Sequence, residues 1–140
     1  MENRSNEKVL LVSNKIEELT RVTRFLEELG EDWNLPDPLV FSLNLVLEEA
    51  LTNTILYGFS DDKDHIIEIL CSNDRSEISF TIRDDGVEYD PTKKEDADIT
   101  LPAEERPIGG LGIFLIKKIM DSVNYKRINN INNLILKKNI

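Results

Sequence analysis

Glu49 and Asn53 are a carboxylate and a carboxamide set four residues apart in a stretch dominated by Leu39, Phe41, Leu43, Leu45, Val46, Leu47, Ala50, Leu51 and Leu56. Wound as a helix at about 100° per residue, their side chains point about 40° apart, one turn from each other. A helix apolar almost all round is largely buried. An ionised carboxylate there is costly unless it is paired or hydrogen-bonded. One reading is a satisfied core network in which both side chains cap backbone groups of a neighbouring strand. The other is chemical. A magnesium ion carrying nucleotide phosphates needs only one or two protein oxygens, since phosphate and water supply the rest. A neutral Asn oxygen serves without adding negative charge, and a Glu one turn away can take a proton from water or a substrate hydroxyl as general base. Glu48, about 100° round the cylinder from Glu49, reads as the more solvated acid.

A second carboxylate sits where a strand should point inward. In Glu77-Ile-Ser-Phe-Thr-Ile-Arg-Asp84 the apolar face is Ile78, Phe80 and Ile82, and Asp84 shares their parity. A carboxylate at the mouth of an apolar pocket suits the exocyclic amine of a purine and would prefer adenine to guanine. Gly86 allows close backbone approach. Asp-Asp-Gly is also a common turn sequence, in which Asp85 reads as solvated, and Asp90-Pro91 reads as a further turn. A third signal is Gly109-Gly110-Leu111-Gly112 ahead of an apolar helix. Backbone N–H groups there can converge on an anion, with the helix dipole behind them. A flexible hinge would look the same. Arg106 just upstream could close on phosphates or simply pair with Glu104 or Glu105.

These residues need elements to hold them. The periodicity predicts a strand at Lys8–Ser13, then an amphipathic helix from Ile16 that stops at Gly30. A long apolar helix follows from Pro36 to Phe59, started by Asp37 and Pro38 and ended by Gly58. Strands are expected at His65–Leu70 and Glu77–Arg83 around a Ser72–Ser76 turn. Pro91 to Ile108 has no clear element and reads as a lid or binding loop. A helix at Leu111–Met120 exposes Lys117 and Lys118. Strands at Val123–Arg127 and Leu134–Lys138 flank an Asn-rich turn, Asn129 to Asn133. Across 140 residues this amounts to one domain, 1–140. The formal charge of −10 makes nucleic acid an unlikely partner. Nothing approaches about 18 consecutive apolar residues, and the polar start lacks a secretory signal. Cys71 is single, which excludes an internal disulfide and a thiolate metal cluster. The expected setting is cytoplasmic, with no membrane.

Taken in order, Glu48-Glu-Ala-Leu-Thr-Asn-Thr-Ile-Leu-Tyr-Gly58, Asp84-Asp-Gly-Val-Glu-Tyr-Asp-Pro91, Gly109-Gly-Leu-Gly-Ile-Phe-Leu-Ile116 and Tyr125-Lys-Arg127 with Asn133-Leu-Ile-Leu136 resemble one family. They are similar to the N box and glycine boxes of the GHKL (histidine kinase-like) ATPase superfamily, and most of all to the small anti-sigma factor serine kinases. The resemblance implies an α+β fold: a two-layer Bergerat sandwich with a mixed, mostly antiparallel sheet and helices on one face, holding ATP between the layers. It further implies that Asn53 binds Mg2+ and Glu49 is the catalytic base. Asp84 with Gly86 would receive the adenine, and Gly110, Leu111 and Gly112 the phosphates. The lid maps onto about 92–108. In such kinases the acceptor is a serine on an anti-anti-sigma partner of the STAS type, a sigma factor is sequestered, and a homodimer is possible. One position departs: Glu88 stands where many superfamily members carry a second Gly, so a non-catalytic ATP-binding module whose nucleotide-ordered lid controls partner binding is the alternative. No transducer domain follows the last strand, which points away from gyrase-like work. His65 opens a strand, which points away from autophosphorylation on a dimerisation helix.

Overall fold

Alternating apolar and polar residues make five strands, and the computed structural model describes residues 6–74, 76–93 and 110–140 of the chain. The strands are β1 (Glu7–Ser13), β2 (Ile66–Asp74), β3 (Glu77–Asp84), β4 (Ser122–Ile128) and β5 (Ile131–Asn139). They form one sheet in the order β1-β2-β3-β5-β4, and all four pairings are antiparallel. Ile67, Ile69, Ile78, Phe80, Ile82, Leu134 and Leu136 are buried on one face, against helices α1 (Leu19–Asp32), α2 (Asp37–Tyr57) and α3 (Gly110–Ile119). Each such side chain contributes about 1.5–3 kcal/mol of transfer free energy. The expected α+β sandwich with helices on one face is the observed one, and the sheet expected to be mixed is antiparallel at every pairing among the described residues. Cys71 belongs to this core, and burial pushes its thiol pKa upward, which keeps it unreactive.

Several boundaries move, each for a physical reason. Gly30 does not stop α1, because its bare Cα is needed elsewhere: an added Cβ would stand 2.6 Å from a methyl of Val40 on α2. The stop is Asn34, at φ 53, with Leu35 N–H donating to Gly30 O at 2.9 Å and Asn34 N–H donating to Glu31 O. That bond pattern is a Schellman cap with Asn in the left-handed position. The β2–β3 turn is tighter than the Ser72–Ser76 cluster suggested, since Asp74 pairs with Glu77. Likewise only Asn129 and Asn130 turn the last hairpin, at φ 51 and 65, the two positive values of a type I′ turn. Asn132 and Asn133 are strand residues.

α2 is the central support, packed between α1 and α3. It is long and apolar enough to cross a membrane by length and composition. Here its apolar face lies on the sheet instead, where Leu43, Leu47 and Leu51 are fully buried.

Candidate functional site

α2 carries Asn53 to a cleft that it shares with Asp84 at the end of β3. The walls include Ala50, Ile82, Tyr89, Ile116, Tyr125 and Leu134. The cleft encloses about 450 Å³ counting its mouth.

At one end, the first turn of α3 lies against Glu49 and Asn53. A Cβ on Gly112 would come within 2.8 Å of Glu49 Oε2 and 3.5 Å of Asn53 Nδ2. Only glycine lets the helix start approach these two side chains so closely. Gly110 and Leu111 belong to the same first turn, whose N–H groups lack intrahelical acceptors. Glu49 and Glu48 are both half-buried, but Glu48 faces a separate groove beside Thr20, Thr23 and Arg24 of α1. Among the described residues no three His, Cys, Asp or Glu gather as a metal cage. The donor set of one carboxamide and one carboxylate suits a magnesium ion that arrives with phosphate oxygens. Gly109, Arg106 and residues 94–108 of the expected lid lie outside the described residues.

At the other end Asp84 is buried, as its parity requires. Burial raises its carboxyl pKa, against the opposing effects of hydrogen bonds from Asn132 and Gly86 N–H. Gly86 N donates to Asp84 Oδ1 at 2.9 Å and Asn132 Nδ2 donates to the same oxygen at 3.0 Å. Gly86 is confined: an added Cβ would fall 2.0 Å from the Gly58 carbonyl oxygen, and Val87 N donates to that oxygen at 2.7 Å. The end of α2 and the loop after β3 are thus in direct contact. Glu88 in that loop is exposed. Asp90 caps the next turn, accepting from Thr92 N at 2.9 Å.

Asn132, with Tyr125 and Arg127 behind it, is what sequence reasoning missed. Its signal was parity: Asn132 is in step with the buried Leu134 and Leu136, as Asp84 is with Ile82. The neighbouring asparagines disguised it as turn.

Asp85 is no idle turn residue. Its carboxylate lies 2.9 Å from His65 Nδ1 and that of Asp61 lies 2.7 Å from Nε2, and both accept together from the protonated ring. The imidazole also stacks on Phe59, centroids 4.5 Å apart. The Asp61 hydrogen bond, aided by Asp85 and opposed by desolvation, raises the His65 pKa; the same bond lowers that of Asp61. A raised base stabilises the fold fully below its unfolded value, about 6.5, and loses that contribution as pH rises through the folded value. On the acid side the clamp fails as Asp61 protonates, below about pH 4. The urea midpoint should therefore fall from pH 6 to pH 8 in the wild type and less so in His65→Ala. A His65 ring titrating by NMR at or below 6.5 would refute this.

A sequence profile of the histidine kinase-like ATPase domain matches residues 12–138. The serine/threonine-protein kinase BtrW of Bordetella bronchiseptica is 31% identical over 98 residues, 70% of this chain and 69% of that protein. The anti-sigma F factor of Oceanobacillus iheyensis is 32% identical over 58% of this chain and 56% of its own. The serine-protein kinase RsbW of Listeria monocytogenes is 34% identical over 58% and 54%. The last two matches thus span little more than half of those relatives. With the antiparallel sandwich and the cleft between α2, β3 and α3, these matches make the chain a member of the histidine kinase-like ATPase domain family, in the group of anti-sigma factor serine/threonine kinases.

Proposed function

We propose that this protein is an ATP-dependent serine/threonine protein kinase acting as an anti-sigma factor in the cytoplasm, with a serine on a STAS-type anti-anti-sigma protein as its acceptor. The observation that supports the reading is the cleft lined by both Asn53 and Asp84, with the first turn of α3 seated so closely on Glu49 that only glycine fits at position 112. In this mechanism Asp84 accepts the adenine amine. The N–H groups of Gly110, Leu111 and Gly112 bind phosphate oxygens, and Asn53 holds the magnesium. That ion, when bound, neutralises charge on the phosphates. Glu49 takes the proton of the acceptor hydroxyl as its oxygen bonds to the γ-phosphorus and the bond to the β-phosphate oxygen breaks. The domain works as one unit with a lid at about 92–108, and two copies pair as a dimer.

Names of relatives support this reading: two of those above are protein kinases and one is an anti-sigma factor. The test is incubation with Mg-ATP labelled at the γ-phosphate and candidate anti-anti-sigma proteins, followed by mapping of the phosphosite. A labelled serine on one partner is expected. Tight Mg-ATP binding and nucleotide-dependent partner capture without any label would instead establish the non-catalytic module.

A further inference from the structure

Asn132 is 5% exposed, and its amide is used to capacity. Nδ2 donates to Asp84 Oδ1 at 3.0 Å and to the Val87 carbonyl at 2.8 Å. Oδ1 receives Arg127 Nη1 at 2.8 Å and the Tyr125 hydroxyl. Two of these partners settle which way the amide points, because a guanidinium can only donate and a carbonyl can only accept. The flipped amide would set N–H₂ against Arg127 and oxygen against the Val87 carbonyl. Asn132 is therefore obliged to donate to Asp84. Arg127 extends the brace by donating to the Gly86 carbonyl at 3.2 Å.

Resting on the ATP-binding reading above, we propose that Asn132, oriented by Tyr125 and Arg127, is the positioning residue that makes this cleft select adenine over guanine. With Oδ1 of Asp84 occupied by Asn132 and Gly86 N–H, Oδ2 is the oxygen left for the base. A carboxylate pinned in this way is an acceptor and cannot turn to present a proton. Adenine offers an N–H donor at its C6 position, whereas guanine offers a carbonyl, so the guanine base meets acceptor with acceptor. Sites that hydrogen-bond a specific group reject analogues lacking it strongly, because the buried partner is left unpaired. If Asp84 were free to rotate or to take up a proton, that rejection would fade. Burial already pushes Asp84 toward protonation, and the Asn132 amide opposes this.

The test compares ATP with GTP binding by calorimetry, and transfer kinetics where a partner is in hand, for wild type, Asn132→Ala, Asn132→Asp and Tyr125→Phe. Asn132→Ala should lower the ATP-to-GTP affinity ratio by at least about tenfold. Tyr125→Phe, which removes one hydroxyl at the back of the network, should lower it less and still fold. In transfer the losses should fall on KM rather than kcat, since none of these groups touches the phosphates. Asn132→Asp gives a pH signature that a purely structural role would not. When that pair holds one proton, the acid at 132 can donate to Asp84 and ATP binding returns; when both are ionised it is lost. ATP affinity of the variant should thus rise as pH falls from 8 to 5.5 while that of the wild type stays flatter. The charged and titratable groups around the pair are Asp85 and Tyr89 of the loop after β3 and Tyr125 and Arg127 of β4. α2 and α3 line the cleft with Ala50, Asn53, Thr54 and Ile116 and add none. Wild-type protein that binds no ATP would bring down the proposed function itself. Wild type that prefers ATP, with folded Asn132→Ala and Tyr125→Phe keeping the full ratio, would overturn this inference alone.

Discussion

Glu49→Gln should abolish phosphate transfer while leaving ATP binding intact. Gln has the shape of Glu, so the close contact with Gly112, where an added Cβ would stand 2.8 Å from Oε2, is kept. What disappears is a base able to take the proton of the attacking hydroxyl. General-base catalysis contributes about 10²–10⁴-fold, so the rate constant for transfer should drop at least about a hundredfold. Calorimetry with Mg-ATP should return the wild-type affinity. Rapid-quench measurement of γ-phosphate transfer decides the matter: a variant as fast as wild type removes Glu49 from the mechanism and leaves it a structural acid.

Asp84→Asn should separate folding from binding in the opposite way. Because burial raises the Asp84 carboxyl pKa in the folded state, its ionised form costs stability above the unfolded value, about pH 3.9. An uncharged amide escapes that cost. The variant should unfold at a urea concentration no lower than wild type near pH 7. Its Oδ1 can still accept from Asn132 and Gly86 N–H, which forces the Nδ2 group toward the base. A donor then meets the donor of adenine, and ATP affinity should fall about a hundredfold or more. Retained affinity would show that the base is read elsewhere.

How much of this was legible in the chain depended on whether the signal was local. Parity along Glu77–Asp84 located the inward carboxylate, and the turn spacing of Glu49 and Asn53 placed both on one side of α2. Asn132 carried the same parity signal as Asp84 but stood among asparagines suited to a positive φ, so turn propensity masked it. Gly30 misled because a glycine that permits close packing looks, in sequence, like one that ends a helix; only the Val40 contact distinguishes them. The clamp of His65 on Asp85 joins residues 20 apart, and the cleft is lined by side chains from α2, α3, β3, β4 and β5. Neither leaves a periodic trace.

Three parts of the cleft hang on one rod. Glu49, Asn53 and the Gly58 carbonyl that fixes the Gly86 loop are all borne by α2 or its cap, and from Glu49 to Gly58 the helix rises about 13 Å. Under the proposed function α2 is thereby a gauge of ligand length: a nucleotide with too short a phosphate chain would occupy the end at Asp84 without bringing a phosphate to Glu49, and a helix stretched or shortened by one residue would misread every nucleotide alike.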